Sequence, residues 1–550
     1  MNQFFSLFFK SSIAVFFGVC LLWQPSNAQS IAPTIEWQRS LGGTKGDEAT
    51  SISQTSDGGY IIAGLSYSID GDVSDHHGFG GFIDYWVVKL TNAGAMEWQR
   101  SLGGSDNDYP TSISQTTDGG YIVAGWSKSA DGNVTGNHGE RDFWIVKLTS
   151  AGAIEWEKSL GGSGDDEAAS ILQTTDGGYV VAGRSRSDDG DVIGHHGATD
   201  SSDAWIVKLT NTGGMEWQKS LGGSGTDGAA SIEQTSDGGY IIAGSSQSTN
   251  GDGTGHHGLA EYSDAWIVKL TGAGGIEWQQ SLGGSNHDYG NAIEQTTDGG
   301  YIVAGSSRSN DGDVSGNRGG GDSWIIKLTS AGAIDWQRSL GGSDADGGTS
   351  IKQTADGGYI VAGFSESTDG NATGWHEGMD YLIVKLTNTG VIEWQQLFGG
   401  RHDDYAISIK QTTDNGYIVA GYSQSHDGDV TNNHGSAGSS DAWIVKLAPP
   451  NSTGVKPTAP PIPNPWAMNA NYPNPFSSTT TITFTVPERS FVRLSVDTEQ
   501  GVEVARLIEE QLEAGEYRVP FSADGLASGT YLYRLSSGST SLVGKMTIVR

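Results

Sequence analysis

Apolar and polar positions along Ile35–Leu447 follow a pattern that returns about every sixty residues. One period reads approximately E-W-Q-x-S-L-G-G, S-I-x-Q-T-x-D-G-G-Y-I-V-A-G, D-G-D-V-x-G-x-H-G and D-x-W-I-V-K-L. Each period holds four short segments of strand character and none of helical period. In the first full unit these are Ser51–Thr55, Tyr60–Ser66, Tyr85–Leu90 and Ala95–Leu102. Asp57-Gly58-Gly59 joins the first two and accepts the positive φ of a tight hairpin, and Thr91–Gly94 joins the last two. Tyr-Ile-Ile-Ala-Gly and Trp-Val-Val-Lys-Leu are nearly continuous apolar runs, which suits strands covered on both faces.

The Trp after the acidic residue falls at 37, 98, 156, 217, 278, 336 and 394, so seven units follow one another with no room for an unrelated insertion. Fixed-period self-similarity means a solenoid, an array or a propeller. The phase of the repeat decides among them. The chain enters on a solitary fourth strand, Ile35–Leu41, and leaves on a third strand, Trp443–Leu447, that has no fourth. In a circle the first strand completes the last sheet and both open edges disappear. The expected fold is therefore all-β, a seven-bladed β-propeller over 29–447 closed by a composite last blade. An open solenoid would need end caps, and the sequence offers none.

Thirteen of the seventeen Trp occupy two repeat positions, the seven above and Trp86, Trp144, Trp205, Trp266, Trp324 and Trp443, as expected of inter-blade core. Counting back across the turn places the repeated Lys89 directly opposite Glu97, a cross-strand ion pair.

Residues 1–28 read as a secretory signal peptide: Lys10, an apolar stretch from Ile13 to Leu22, and Ser26-Asn27-Ala28 before Gln29. That stretch is too short for a permanent membrane anchor. Cys20, the single cysteine, would leave with the leader, so no disulfide or thiolate chemistry is expected. A net charge of -33 excludes a nucleic-acid partner, because phosphate binding needs a basic face.

At 448–471 the composition turns Pro-rich, an extended linker. Six alternating segments follow within 472–550 and predict a small Ig-like β-sandwich. Tyr472-Pro473-Asn474-Pro475-Phe476 opens this region, Leu526–Tyr531 with Gly529 and Tyr531 precedes a late strand, and Lys545-Met546 starts the closing Lys-Met-Thr-Ile-Val-Arg. Those elements in that order resemble the type A C-terminal sorting domain of the type IX secretion system of Bacteroidetes and related bacteria. The resemblance implies passage through the periplasm, recognition of the C-terminal domain by an outer-membrane translocon, and a final place on the cell surface or outside the cell. The repeats are similar to Gly/Asp/Trp-rich repeats of uncharacterised surface proteins, which implies a surface propeller and brings no chemistry with it.

Candidate chemistry falls on the face that carries the crossing loops and the long loops between second and third strands. One Asp per unit, Asp47, Asp108, Asp166, Asp227, Asp288, Asp346 and Asp404, follows Gly-Gly in the crossing loop and would ring the channel mouth with negative charge. The alternative is that each accepts backbone N–H bonds inside its own loop. In the long loops, Asp70, Asp72 and Asp84, with Asp189, Asp191 and Asp203, Asp311, Asp313 and Asp322, and Asp427, Asp429 and Asp441, could supply oxygen ligands to calcium. The pattern lacks the bidentate Glu of an EF-hand loop. The His seven residues after the first Asp, as in His77, is better suited to closing its loop than to binding zinc.

The variable position after Tyr-Ile-Val-Ala-Gly carries Leu65, Trp126, Arg184, Ser245, Ser306, Phe364 and Tyr422. Trp126, Phe364 and Tyr422, with Trp375 of the sixth long loop, could stack against sugar rings or peptide side chains. No residue is singular enough to nominate as catalytic. The residues favour a secreted or surface-displayed protein whose propeller binds a ligand or adheres. The alternatives are a polysaccharide-active enzyme with its pocket at the channel mouth and a structural surface-layer component.

Overall fold

A computed structural model describes residues 32–449, apart from 79–80, 199, 372–373 and 437, and residues 466–549, apart from 469–470, 472, 487–489, 499, 513–514, 524 and 538–539. The leader at 1–28, most of the Pro-rich linker and Tyr472 of the sorting motif lie outside the described residues. Every regular element among the described residues is a β-strand.

The repeat forms seven antiparallel four-stranded sheets. In blade 1 the strands are Asp47–Gln54, Tyr60–Ser66, Asp84–Leu90 and Met96–Leu102, in spatial order. Blade 7 consists of Asp404–Gln411, Tyr417–Ser423 and Asp441–Leu447, with Ile35–Leu41 as its outer strand. The composite blade expected from the phase of the repeat is thus present, in the register Ser40 opposite Trp443. The first strands of successive blades touch around the circle, and that of blade 7 touches that of blade 1, so these strands line a central channel. This closed arrangement of sheets is a β-propeller.

Hydrophobic burial runs between blades, because each sheet is apolar on both faces. Seven clusters each straddle one junction. At the closing junction Leu41, Ala49, Ile52, Tyr60 and Trp86 meet Ile418, Ala420 and Ile444. Third-strand Trp residues are fully buried and donate their indole N–H to the outer strand, as Trp86 does to Gln99 at 3.0 Å. The Gly before the variable position is required by close approach: a Cβ on Gly64 would lie 2.3 Å from the Glu48 carbonyl oxygen of the bulged inner strand.

Lys89 pairs with Glu97 at 3.1 Å, but not by direct opposition. Lys89 faces Trp98, and a bulge before Leu90 displaces Glu97 from the ladder. The buried ammonium also meets Asp57 at 3.0 Å and the Leu90 carbonyl at 3.1 Å, tying the inner hairpin turn to the outer hairpin. The one-residue slip was hidden because counting across a turn assumes an unbroken ladder.

The C-terminal residues form two sheets around one core, the first of which takes in Ala467–Met468 from the end of the stretch read as linker. Ala467–Met468, Thr479–Val486 and Gly515–Ser522 make the first, and Glu503–Leu512, Ser490–Thr498, Gly529–Ser537 and Thr540–Ile548 the second. Phe476, Phe484, Leu494, Tyr517, Tyr533 and Met546 lie in the shared core.

Candidate functional site

The seven crossing-loop Asp residues form no acidic rim. All are buried, and each turns its carboxylate into its own loop. Asp47 accepts the Gly43 N–H at 2.7 Å, the Ser68 hydroxyl at 2.8 Å and the Ser66 hydroxyl. The amide bond recurs at 2.8 Å for Asp108, Asp166, Asp227, Asp288, Asp346 and Asp404. Sequence spacing places these residues beside the channel strand but does not reveal which way a loop carboxylate points.

Across each junction sits the Asp that opens the third strand of the preceding blade. Asp84 accepts the His77 backbone N–H at 2.7 Å and faces its Nδ1 at 3.0 Å. The His thus closes the long loop, and equivalent contacts occur at His138, His196, His257, His376 and His434. The second oxygen of Asp84, Asp142, Asp203, Asp264, Asp380 and Asp441, and both oxygens of Asp322, have no hydrogen-bond partner among the described residues. A Cβ on Gly399 would lie 2.3 Å from the free Asp380 oxygen and 2.5 Å from Asp404, which shows how closely the two carboxyls approach.

Burial, reinforced by the facing carboxylate, pushes Asp108 and Asp404 up to about 7 and Asp47 to about 6, against the hydroxyl and amide donors that pull them down. The folded values exceed the unfolded one, so between about pH 4 and 7 the native chain binds more protons and stability falls as pH rises. A tenfold gain in proton affinity on folding corresponds to about 1.4 kcal/mol. Asp57, held at about 2 chiefly by the Thr55 hydroxyl, has the opposite sign and acts below about pH 4. The melting temperature should therefore peak near pH 4–5 and be lower by several degrees at pH 8. A flat or rising profile between pH 5 and 8, measured by scanning calorimetry, would contradict the carboxyl pairing.

The long-loop carboxylates do not fit calcium. Asp70 accepts the Thr44 N–H at 2.8 Å and its hydroxyl at 2.9 Å, and Asp72 accepts the Gly42 N–H at 3.2 Å. Asp189, Asp311 and Asp427 repeat the first bond, and Asp191, Asp313 and Asp429 the second. These oxygens pin each long loop to the adjoining crossing loop. The third member of each set, Asp84, Asp203, Asp322 or Asp441, belongs to the buried carboxyl pairs. Among the described residues no group of three or more His, Cys, Asp or Glu is placed to hold a metal ion.

One break in the repeat lies at the channel mouth. The variable second-strand position pairs with an equally variable inner-strand position: Leu65 with Glu48, Trp126 with Tyr109, Arg184 with Glu167, Ser245 with Gly228, Ser306 with Tyr289, Phe364 with Gly347, and Tyr422 with Tyr405. A cavity of about 350 Å³ opens over blades 2 to 5, lined by Tyr109, Trp126, Glu167, Arg184, Tyr289 and Asn291 among others. Trp126 and Tyr109 stack at 5.5 Å and 5°, and the Arg141 guanidinium lies 4.5 Å over the Trp126 ring. Glu167 joins Arg141 and Arg184, the latter at 2.9 Å through Nε. Burial pushes the Glu167 carboxyl up, but the two guanidiniums hold it below its ordinary range.

A second aromatic run continues around the rim. Phe364 stacks on Tyr405 at 4.6 Å, and Tyr405 on Tyr422 at 5.6 Å. Trp375 stands outside the cavity lining, its indole N–H bonded to the Gly378 carbonyl at 2.8 Å. Sequence reasoning identified the second-strand half of the mouth and missed Tyr109, Glu167 and Tyr289, whose signal was the matching variability directly after the crossing-loop Asp.

The mouth cavity shares Thr111, Ala169, Ala230 and Asn291 with a channel cavity of about 310 Å³. Inside the channel, Ser51 accepts the Ile113 N–H, and Ser112, Ser170, Ser231, Ser350 and Ser408 make the same stitch to the next blade. At the far end each inner-strand Gln accepts a turn N–H of the preceding blade, and the circle closes with Thr413 donating to Gln54 at 2.8 Å. Between these rings the x of Ser-Ile-x-Gln carries Ser53, Ser114, Leu172, Glu233, Glu294, Lys352 and Lys410, a charge asymmetry the sequence shows only as an unassigned variable letter.

In the C-terminal region the separate sorting motifs meet. The Asn474 carboxamide accepts the Thr547 N–H at 2.9 Å and donates to the Lys545 carbonyl at 3.1 Å. Phe476 bridges to Ile548, and the Tyr531 hydroxyl donates to the Ala527 carbonyl at 3.1 Å.

Comparison with known proteins agrees with this part of the chain. Residues 470–549 match the family described as secretion system C-terminal sorting domain. The chain is 25% identical over 412 residues to the regulatory protein FlaEY of Caulobacter vibrioides, a match covering 67% of this chain and 42% of that protein, so it spans about two fifths of that relative's length. Among solved structures, PorZ, described as an essential surface component of the type IX secretion system of Porphyromonas gingivalis, is 10% identical, with 93% of this chain and all of that chain covered and a TM-score of 0.20. The Pan2 WD40 domain of Neurospora crassa is 9% identical, with 62% and 90% covered and a TM-score of 0.34. The C-terminal region is a type IX sorting domain, which directs the protein to the cell surface or the extracellular space and implies contact with the secretion machinery. Among the described residues no helix is long and apolar enough to cross a membrane.

Proposed function

We propose that, on a chain exported by this sorting domain, the propeller of 29–447 is a binding module whose mouth cavity takes a carbohydrate chain. The linker of 448–471 joins it to its address, the sorting region of 472–550. The observation that carries the reading is the asymmetry at the mouth. Junctions and turns repeat blade after blade, whereas Tyr109, Trp126, Glu167, Arg184 and Tyr289 break the repeat where they line the cavity of about 350 Å³. Flat amphipathic rings suit the apolar faces of sugar rings, and fixed carboxylate, guanidinium and carboxamide groups suit their hydroxyls. Glu167 is already neutralised by two Arg residues, which fits a positioning group better than a proton-transfer group.

A panel of polysaccharides, scored both for retention of the protein and for release of reducing ends, tests this. Saturable retention without release supports the module. Release abolished by Glu167→Gln would instead make the mouth an enzyme site.

A further inference from the structure

The channel holds a second arrangement, independent of the mouth reading. Four consecutive blades place Glu233, Glu294, Lys352 and Lys410 at one level. Both carboxylates are already engaged. Lys352 pairs with Glu233 at 2.6 Å and with Glu294 at 3.7 Å. The second oxygen of Glu233 accepts the Gln295 N–H at 3.3 Å, and that of Glu294 accepts the Gln353 N–H at 2.5 Å. Lys410, by contrast, makes no hydrogen bond or ion pair among the described residues. The remaining blades offer Ser53, Ser114 and Leu172 at this level, so no other countercharge faces it.

We propose that Lys410 is a nucleophilic amine that captures a small aldehyde or ketone in the channel as an imine. A lysine in a confined cavity beside a second cation loses the water and countercharge that keep an ordinary ammonium protonated. Burial first, and then the Lys352 charge, lower Lys410 to about 7, with Glu233 and Glu294 opposing only in part. The Nζ lone pair attacks the carbonyl carbon and a C–N bond forms. The nitrogen gives up its two protons, which the former carbonyl oxygen takes as its C–O bonds break and it leaves as water. The product is a C=N imine, and no oxidant or reductant is consumed. The cavity of about 310 Å³ restricts the partner to a carbonyl compound of a few carbons.

The test is reductive trapping on the full chain with propanal and cyanoborohydride, whose hydride locks the imine as a secondary amine, followed by peptide mapping. At pH 7 Lys410 should be modified at least about tenfold faster than the exposed Lys158, because only a small fraction of an ordinary lysine is neutral there. Labelling of Lys410 should reach half its maximum near pH 7 and follow a pH profile distinct from that of Lys158. Lys352→Met should slow it at pH 7, because Glu233 and Glu294, freed of their partner, would hold Lys410 protonated. Parallel pH profiles for Lys410 and Lys158 in the wild-type chain would overturn the proposal whether or not the variant folds.

Discussion

Removing residues 33–41 should cost the chain its closed circle and lower its melting temperature by about 10 °C, with aggregation on heating. The segment supplies the outer strand of blade 7, paired from Ile35–Leu447 to Leu41–Ala442. It also brings the Gln38 acceptor of the Trp443 indole at 2.8 Å, the Glu36 partner of Lys446 at 3.2 Å, and Trp37, whose ring packs edge-on against Tyr60 of blade 1 at 5.6 Å. Six or so ladder bonds at about 1 kcal/mol each, with a buried Leu41 at about 2 kcal/mol, give a loss near 8 kcal/mol. At about 2 °C per kcal/mol or less for a chain this long, the shift is large but finite. The freshly exposed Asp441–Leu447 edge would template association. A melting temperature within about 2 °C of the parent, from calorimetry of both proteins, would mean that blade 7 does not depend on its borrowed strand.

The second large effect is on destination. A chain ending at residue 469 should fold its propeller and stay in the periplasm of a type IX secreting host, with essentially none at the surface. The sorting region has its own two-sheet core, so its removal leaves the seven inter-blade clusters intact. Asn474→Ala should give a graded defect, since it releases the opening motif from Thr547 and Lys545 without touching the core. Protease accessibility on intact cells reads both variants. Surface exposure of the truncated chain at the parent level would remove the sorting domain from the account.

The architecture was legible because a repeat encodes topology redundantly. The unpaired outer-strand signature at Ile35–Leu41 and the unpaired third-strand signature at Trp443–Leu447 could be reconciled only by closure. Side-chain direction in loops was not legible. Spacing leaves Asp47 and its six counterparts open between an acidic rim and a bond inside their own loop, and it is the amide of the second Gly, with one or two Ser hydroxyls, that draws each carboxylate inward. Asp70 and Asp72 have the residue type to offer oxygens to calcium and instead accept backbone amides of the crossing loop. In both cases the donors come from residues distant in sequence or from the backbone, which motif spacing does not register. Lys410 and its neighbours were missed for another reason. Their significance arises from which blades stand beside and across from one another, and a repeat unit read singly carries no such information.

The central claim, that the mouth is the binding site, is tested most directly by comparing two tryptophans in the same protein. For a polysaccharide that the full chain retains, Trp126→Ala should weaken affinity about tenfold, the equivalent of about 1.4 kcal/mol of lost stacking. Trp375→Ala, at an exposed ring outside the cavity lining, should leave affinity unchanged. Equal affinities for the parent and Trp126→Ala, or a loss confined to Trp375→Ala, would place the binding surface elsewhere and contradict the account.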